Sequence, residues 1–178
     1  DLGQQMGLTA SQIRQDMNCF GGFGQQGYGY NIHELRLKIS EILGLDRSYT
    51  MAIVGAGKIG QAILSYDGFR SMDFHITAMF DTDPELIGRR VRDITIYDAA
   101  NIREVLTASP VDVGVVAVPE ASAQWVCDML TGCGVRAIWN FAPIDLNVGR
   151  DVAINSVHRS DSLMVLTYSM RHTRGSGK

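Results

Sequence analysis

A glycine-rich turn constrains the fold of this chain more than any other feature. The run Gly55-Ala56-Gly57-Lys58-Ile59-Gly60 directly follows an apolar segment, residues 51–54, and opens into a helix-like segment. About twenty residues later, Asp81 closes a second apolar run, residues 74–80. A strand, a G-x-G-x-x-G turn, a helix, a second strand and an acid, in this order, form the dinucleotide-binding fingerprint of a Rossmann-type α/β domain.

Each glycine of the turn has its own physical task. Gly55 permits the tight turn, Gly57 lets the backbone approach a pyrophosphate, and Gly60 lets the helix pack close to the strand. The free N–H groups at the N terminus of this helix face the anion. Asp81 can accept hydrogen bonds from a ribose 2′-OH and would repel a 2′-phosphate, which favours NAD(H) over NADP(H). The alternative is a Rossmann-type turn that is kept for packing alone. Lys58 does not make the turn a P-loop, because no Lys-Ser or Lys-Thr pair is correctly placed.

Composition limits the remaining possibilities. The chain has 178 residues, of which 46% are hydrophobic, enough for one good core and a small appendage. Its formal net charge of −3 gives no overall basic field, so nucleic acid would have to be bound through a local patch. No apolar run approaches the length of about 18 residues that a membrane helix needs, and we expect no secretory leader, although the start at Asp1 suggests that the true N terminus precedes it.

Neither a metal centre nor a catalytic centre is expected. The three cysteines show no C-x-x-C spacing, which favours reduced thiols in the cytoplasm over a redox-active pair. The four histidines show no metal-ligand spacing, and no nucleophile–base motif is present.

Downstream of residue 47, strand-like and helix-like segments alternate. Continuous apolar strands in such an alternation predict a parallel sheet covered by helices on both faces. The predicted strands are 50–54, 74–80, 113–118 and 136–139, and the predicted helices are 59–66, 99–106 and 121–130.

The segments that follow these strands predict one binding crevice, because ligands of parallel sheets lie at the carboxyl ends of the strands. The prolines in these segments fix the backbone and could form stiff walls against a flat ring, although the segments could also be simple turns. The candidate cofactor-binding residues are Gly55, Ala56, Gly57, Lys58, Ile59, Gly60, Phe80, Asp81, Asp83, Val118, Pro119, Asn140, Phe141, Ala142 and Pro143.

The N-terminal segment has a different character. Residues 8–17 read as a capped helix, and residues 2–8 read as the end of an earlier helix closed by Gly7, which together form a helix-turn-helix pattern. Ile13, Met17 and Phe20 supply the buried stripe of the second helix. Its exposed polar residues could reach base edges and phosphates: Ser11, Gln12, Arg14, Gln15 and Asn18.

Alternating glycines and aromatic residues in 20–30 suggest a short β-hairpin, or wing. Its tip, Gln25-Gln26-Gly27-Tyr28, could enter a narrow DNA groove. The same stretch could instead be a glycine loop packed by its aromatic rings. Residues 32–43 then predict an amphipathic helix.

These motifs resemble the Rex family of redox-sensing transcriptional repressors over essentially the whole chain. The resemblance rests on the motifs Q-I-R-Q-D at 12–16, F-G-G-F-G-Q-Q-G-Y-G-Y-N at 20–31, the glycine turn, Tyr66, F-D-T-D-P at 80–84, Val118-Pro119 and N-F-A-P at 140–143. It implies a cytoplasmic homodimer without chemical turnover, which binds operator DNA when NAD+ predominates and releases it when NADH binds. The implied organisation is a winged helix-turn-helix domain in 1–47 that lacks its beginning, a Rossmann domain in 50–158, a helix in 159–171 that is swapped onto the partner subunit, and a tail in 172–178.

The sequence departs from the Rex pattern at two further places. Gln15 stands where many relatives have a basic residue, and the wing tip carries Gln25 and Gln26, which predicts weaker anchoring to phosphates. His158 and Arg159 stand where relatives commonly have an acid and an apolar residue. Because the resemblance pairs that acid with Tyr66 beside the nicotinamide, we expect Tyr66, His158 and Arg159 to form an altered redox switch.

Two other functions are compatible with a nucleotide fold. An NAD-dependent oxidoreductase would need a general acid or base and a substrate pocket, and His75, inside the second predicted strand, is expected to be structural. A scaffold that binds CoA or a nucleotide without any role on DNA is the other alternative.

Overall fold

The computed structural model describes residues 6–19, 24–25, 29–157 and 159–173. The chain separates into two compact units, residues 1–48 and 49–178. The first contains helix α1 (Ala10–Cys19), an antiparallel pair of short strands, β1 (Gly24–Gln25) and β2 (Gly29–Tyr30), and helix α2 (Ile32–Ile42).

Short polar side chains start both helices of the N-terminal unit. The backbone N–H of Gln12 donates to Thr9 Oγ1 over 3.2 Å, and the backbone N–H of Thr9 donates back to Gln12 Oε1 over 2.9 Å, which is a capping box. Asn31 Oδ1 accepts the N–H groups of His33 and Glu34 at the start of α2. Both helix starts are therefore specified by local sequence.

The second unit is built on a seven-stranded sheet. Its strands lie in the order β5-β6-β4-β3-β7-β8-β9, and all pairs are parallel except the edge pair of β5 with β6. The strands are β3 (Tyr49–Val54), β4 (Phe74–Asp81), β5 (Arg90–Val91), β6 (Ile94–Asp98), β7 (Val113–Val116), β8 (Ala137–Asn140) and β9 (Ala153–Ser156). Because β3 pairs with β4 on one side and β7 on the other, the chain reverses its direction of winding at β3.

Helices cover this sheet unevenly. They are α3 (Lys58–Ser65), α4 (Gly68–Ser71), the 3₁₀ turn Ala99–Asn101, α5 (Ile102–Ala108), α6 (Glu120–Gly132) and α7 (Arg159–Thr173). One core cluster contains Ile102 and Leu106 of α5 with Val126 and Leu130 of α6. The opposite cluster contains Ile63 and Leu64 of α3. The predicted α/β parallel sheet is therefore confirmed.

The predicted element boundaries need several corrections. The strand predicted to reach Val118 ends at Val116, because the chain leaves the sheet before Pro119. Tyr66, predicted as helical, follows α3 with an extended backbone (ψ 107°). The sequence reading did not predict β5, β6, β9 or α4, which are short, lie at sheet edges or lack a continuous apolar run.

Two negative findings concern only the described residues. Among them, no three His, Cys, Asp or Glu side chains are grouped closely enough to hold a metal ion. Within the same ranges, no helix combines the length and apolar character needed to cross a membrane.

Candidate nucleotide-binding site

The glycine turn joins β3 to α3, and two of its three glycines are required by the fold itself. Gly55 has a φ of +104°, and a Cβ atom there would collide with the carbonyl oxygen of Ala117. At Gly60, a Cβ atom would collide with the carbonyl oxygen of Gly55. These two glycines therefore perform the tight turn and the close helix–strand packing that the fingerprint implies.

Gly57 is different, because nothing lies within 4 Å of a Cβ atom built on it. Its backbone is extended and immediately precedes α3, so the first N–H groups of that helix are open on this side. A glycine at this position leaves free space for a group that approaches the backbone. This is the arrangement expected for a pyrophosphate oxygen.

The carboxylate of Asp81 ties the glycine turn to the loop after β4. Its Oδ2 accepts the backbone N–H of Ala56 over 2.6 Å, and its Oδ1 accepts the N–H groups of Thr82 over 2.7 Å and Asp83 over 2.9 Å. Asp83 in turn accepts the N–H of Glu85 over 2.9 Å. Asp81 therefore connects the loops after β3 and β4, and the fingerprint implies a ribose hydroxyl as a further partner of its carboxylate.

Backbone hydrogen bonds bring the strand exits to one edge of the sheet. Gly55 donates to the carbonyl of Phe80 over 2.8 Å, and Ala117 donates to the carbonyl of Val54 over 2.9 Å. Phe141 donates to the carbonyl of Val116 over 2.8 Å. The loops after β3, β4, β7 and β8 therefore leave the sheet at the same edge.

A cavity of about 230 Å³ lies between these loops and helix α6. Five of the predicted cofactor-binding residues line it: Gly55, Gly57, Asp81, Val118 and Pro119. The segment 140–143 does not line it and lies beyond β7 in the strand order. Other lining residues were not singled out from the sequence: Thr82, Ala99, Ser122 and Trp125.

The signals for these additional residues were weak. Ala99 follows strand β6, whose alternating pattern was not recognised as a strand. Ser122 and Trp125 are three positions apart on α6, the spacing of one helix face. Their position could have been inferred from the helix prediction once it was placed beside the glycine turn.

The side-chain amide of Asn140 makes its hydrogen bonds to other groups of the protein. The side chain is fully buried, and its amide nitrogen donates to the carbonyl of Ile144 over 2.7 Å and to the hydroxyl of Ser156 over 3.2 Å. Its amide oxygen accepts the N–H of Ala142 over 2.9 Å. These contacts fix the turn after β8 and fasten it to β9, so a cofactor role for Asn140 would act through the shape of this turn.

A row of aromatic rings runs from Tyr66 to that same turn. The ring centroids of Tyr66 and Phe69 are 4.8 Å apart, those of Phe69 and Trp139 are 5.6 Å apart, and those of Trp139 and Phe141 are 4.6 Å apart. All three pairs meet edge to face, a favourable geometry for aromatic rings. Tyr66, more than half exposed, is thereby connected by packing to Phe141.

A second, larger and strongly apolar groove of about 360 Å³ lies on the α3–α4 side of the sheet, against strands β7 to β9. Trp139 and Phe69 belong to its wall. The complete lining is Met51, Phe69, Met72, Phe74, Val113, Ala137, Ile138, Trp139, Ala153, Ile154 and Asn155.

Helix α7 follows the groove-lining strand β9 and carries uncovered apolar side chains. Its described apolar residues are between half and two-thirds exposed: Leu163, Met164, Val165, Leu166, Tyr168 and Met170. A helix of this composition is unusual on a free surface.

The candidate DNA-contacting side chains of α1 lie on its exposed side. Ile13 and Met17 are partly buried, as the apolar stripe predicts. The exposed polar residues are Ser11, Gln12, Arg14, Gln15 and Asn18. Gln25 is part of β1, and Arg159 is the first residue of α7, whereas Phe20, Gln26, Gly27, Tyr28 and His158 lie outside the described residues.

Comparison with known proteins places this geometry in a family. The model of the CoA binding domain family matches residues 46–144. The "Redox-sensing transcriptional repressor Rex" of Clostridium beijerinckii is 53% identical over 173 residues, which cover 97% of this chain and 82% of that protein. The chain belongs to the Rex family.

Two solved structures of RSP, a Rex-family repressor, share the fold of this Rex-family chain. The complex of RSP with β-NAD+ and operator DNA has a TM-score of 0.87 and 43% identity, covering 99% of this chain and 84% of RSP. The complex of RSP with β-NADH has a TM-score of 0.83 and 41% identity, covering 97% and 81%. The first complex contains both the nucleotide and DNA.

Proposed function

We propose that this chain is a transcriptional repressor that binds operator DNA when NAD+ predominates and releases it when NADH binds. The observation that carries the proposal is the cleft in which the glycine turn and Asp81 meet, in a chain of the Rex family. The cleft supplies a site for the diphosphate and ribose. No bond in the nucleotide is made or broken.

The two redox forms share their adenosine and pyrophosphate, so contacts with those parts cannot distinguish them. Only the nicotinamide ring differs, in its charge and its planarity. Val118, Pro119 and the turn from Phe141 to Pro143 would bound the nicotinamide end, and an apolar wall there favours the uncharged reduced ring. The aromatic row offers a packed connection from Phe141 to Tyr66, the proposed sensing residue.

We further propose that the protein works as a homodimer whose second copy covers the apolar groove. The groove and α7 are the two large apolar surfaces left open in the described part of one chain. Each subunit would then cover with its own α7 what the partner leaves exposed, as the Rex resemblance implies for the swapped last helix. This reciprocal arrangement is what a two-fold symmetric dimer requires.

Two copies of α1 would contact two half-sites separated by about one DNA turn. A rotation of one subunit relative to the other then changes the separation of the α1 helices and abolishes simultaneous binding. A change from mostly bound to mostly free DNA requires several kcal/mol of differential affinity. We propose residues 1–47 as the DNA-binding domain, residues 50–158 as the nucleotide domain, and the cytoplasm as the compartment.

The decisive experiment measures binding to the operator duplex found with RSP, by fluorescence anisotropy at fixed salt and fixed NAD+, while NADH is added. We expect saturable binding that NADH reverses, with a scrambled duplex bound much more weakly. DNA affinity that does not respond to NADH would contradict the proposal. The same samples test the alternatives: steady NADH oxidation with added alcohols, aldehydes or hydroxyacids would indicate an oxidoreductase, and binding of CoA but of neither dinucleotide would indicate a scaffold.

The altered switch needs its own test because His158 and Arg159 depart from the Rex pattern. A positive charge near the nicotinamide would disfavour NAD+ by electrostatic repulsion. We expect His158→Asp to change the ratio of the dissociation constants of NAD+ and NADH. Equal ratios in the wild type and this variant would show that position 158 does not contribute to redox discrimination.

A further inference from the structure

Trp125 is a large aromatic side chain left half uncovered at the rim of the nucleotide cavity. It is 53% exposed, although its neighbours on the inner side of α6, Ala123 and Val126, are buried. It lines the cavity together with Ser122 and Val126. An exposed tryptophan beside a cavity has both a flat face to offer and room for a ligand in front of it.

The position of the cavity in the sheet identifies which half of a dinucleotide it would hold. Thr82 and Ala99 are in its wall, and they follow β4 and β6, on one side of the switch point at β3. The turn at 141–143, proposed for the nicotinamide, follows β8 on the other side. Asp81, the proposed ribose acceptor, also belongs to this cavity. The side of the cavity toward β4 and β6 therefore corresponds to the adenosine half.

The chemistry of the walls suits a flat, largely apolar ring. Val54, Ala99 and Val126 contribute aliphatic surface, and Asp81 is the only charged side chain among the described residues of the lining. Asp81 already accepts three backbone N–H groups near the turn, and its negative charge favours a neutral hydroxyl partner over an anion. An aromatic face opposite aliphatic walls is a common way to hold a nucleobase by stacking.

We propose that Trp125 covers the adenine base of the bound dinucleotide and thereby sets affinity without setting redox preference. The inference rests on the proposed function, because it assumes that this cleft takes an adenine dinucleotide. Adenine is common to NAD+ and NADH, so its stacking strengthens both complexes equally. Redox discrimination is left to the nicotinamide end.

The test measures, by calorimetry, the affinities of NADH, NAD+ and ADP-ribose for the wild type and for the variants Trp125→Ala and Trp125→Phe. We expect Trp125→Ala to weaken all three ligands on the order of tenfold, with an unchanged ratio between NAD+ and NADH. Trp125→Phe should recover most of the loss because it keeps an aromatic face. The matched control is Asp128→Ala, an exposed position on the same helix that does not line the cavity.

Tryptophan fluorescence supplies a second readout, because the chain has two tryptophans. Quenching by ADP-ribose, which has no nicotinamide, should persist in Trp139→Phe and disappear in Trp125→Phe. Melting curves of the unliganded variants separate loss of stacking from loss of folding.

The outcomes distinguish the inference from the function on which it rests. Unchanged affinities in Trp125→Ala, or a loss confined to one redox form, would overturn the stacking role while leaving the repressor proposal intact. A wild-type protein that binds none of the three ligands would overturn both. Ligand binding that depends on Trp125 together with DNA binding that ignores NADH would overturn the repressor proposal alone.

Discussion

The carboxyl edge of the sheet and its apolar groove differ in how far one chain by itself satisfies their hydrogen bonds and covers their apolar surface. At the carboxyl edge, Gly55, Ala56 and Asp81 use their polar groups in short hydrogen bonds to neighbouring strands and loops. At the groove, Trp139 and Ala153 present apolar surface to open space. The polar groups at the carboxyl edge are thus paired within one chain, whereas the apolar groove is left open to solvent in one chain.

This difference indicates a division of tasks. A ligand site has to exist before the ligand arrives, because pre-organised groups cost less to order on binding. A surface between subunits can stay incomplete in each chain, since burying its apolar area is what drives association. The aromatic row from Tyr66 to Phe141 touches both regions, because Phe69 and Trp139 also line the groove.

The largest effect is expected from Gly55→Ala, which changes the glycine turn at the carboxyl edge of the sheet. The substitution combines an unfavourable positive φ with a collision against the Ala117 carbonyl. We expect the free energy of unfolding to fall by about 2–4 kcal/mol. Gly134→Ala is the matched control, because Gly134 also has a positive φ (+94°) but has nothing within 4 Å of an added Cβ. Equal losses in chemical denaturation would show that the collision at Gly55 does not matter.

The next effect is expected at the groove. Ala153→Asp places a charge on its apolar wall, in register with Ala137 and Val113, and we expect a folded monomer whose self-association is weakened about a hundredfold, because the charge would have to be buried. Light scattering after size exclusion measures the mass, and circular dichroism checks the fold. Asn101→Asp adds the same charge at an exposed helix start on the other face and should leave the mass unchanged. A dimeric Ala153→Asp variant would remove the groove from the subunit interface.

Gly57→Ala tests whether the open space in the glycine turn is reserved for a ligand. A methyl group there meets no protein atom within 4 Å, so the melting temperature should change little. We expect the affinities for NADH and NAD+ to fall together by about tenfold or more, because the methyl group occupies the approach to the helix N-terminus. Calorimetry that gives wild-type affinities would indicate that the turn serves packing alone.

A smaller effect is expected from Tyr66→Phe, which removes one hydroxyl and keeps the ring packed on Phe69. Stability and dimer mass should be retained because the aromatic contact remains. We expect the NAD+ to NADH affinity ratio to change by a few-fold, about 1 kcal/mol for one hydrogen bond. A ratio identical to that of the wild type would exclude a sensing role for the hydroxyl.

The smallest expected effect is a difference in alkylation between a buried and an exposed cysteine thiol. Burial raises the pKa of the Cys127 thiol, with a further contribution from the Asp128 carboxylate. The thiol therefore stays protonated in the folded protein, and any stability it contributes is present below the pKa of the unfolded thiol and is lost as pH rises through the raised value. In alkylation followed by mass spectrometry, Cys19, which is exposed, should react in the native state, and Cys127 should react only with denaturant. Rapid native labelling of Cys127 would contradict its packing in the core.

Features that depend on residues close together in the sequence were predictable, whereas features that depend on long-range contacts were not. The glycine turn and the start of α1 were predictable because a positive φ, a close approach or a capping box leaves its mark within a few residues. Strand β9 was not predictable, since its residues are mostly exposed and its pairing with β8 is long-range. The role of Trp125 was not predictable for a similar reason: only the placement of α6 beside the cavity puts Trp125 in the cavity lining.

By itself, the sequence determined the alternation of the central strands with their helices, the turn at Gly55 and the resemblance to Rex, because backbone restrictions and apolar periodicity act over short stretches of chain. The tertiary structure decided that Asp81 holds the turn through Ala56, that the Asn140 side-chain amide donates to Ser156, and that part of one sheet face is left uncovered. These features depend on which distant groups meet. Hydrogen-bond partners and exposed surface are properties of the packed arrangement, and no local pattern encodes them.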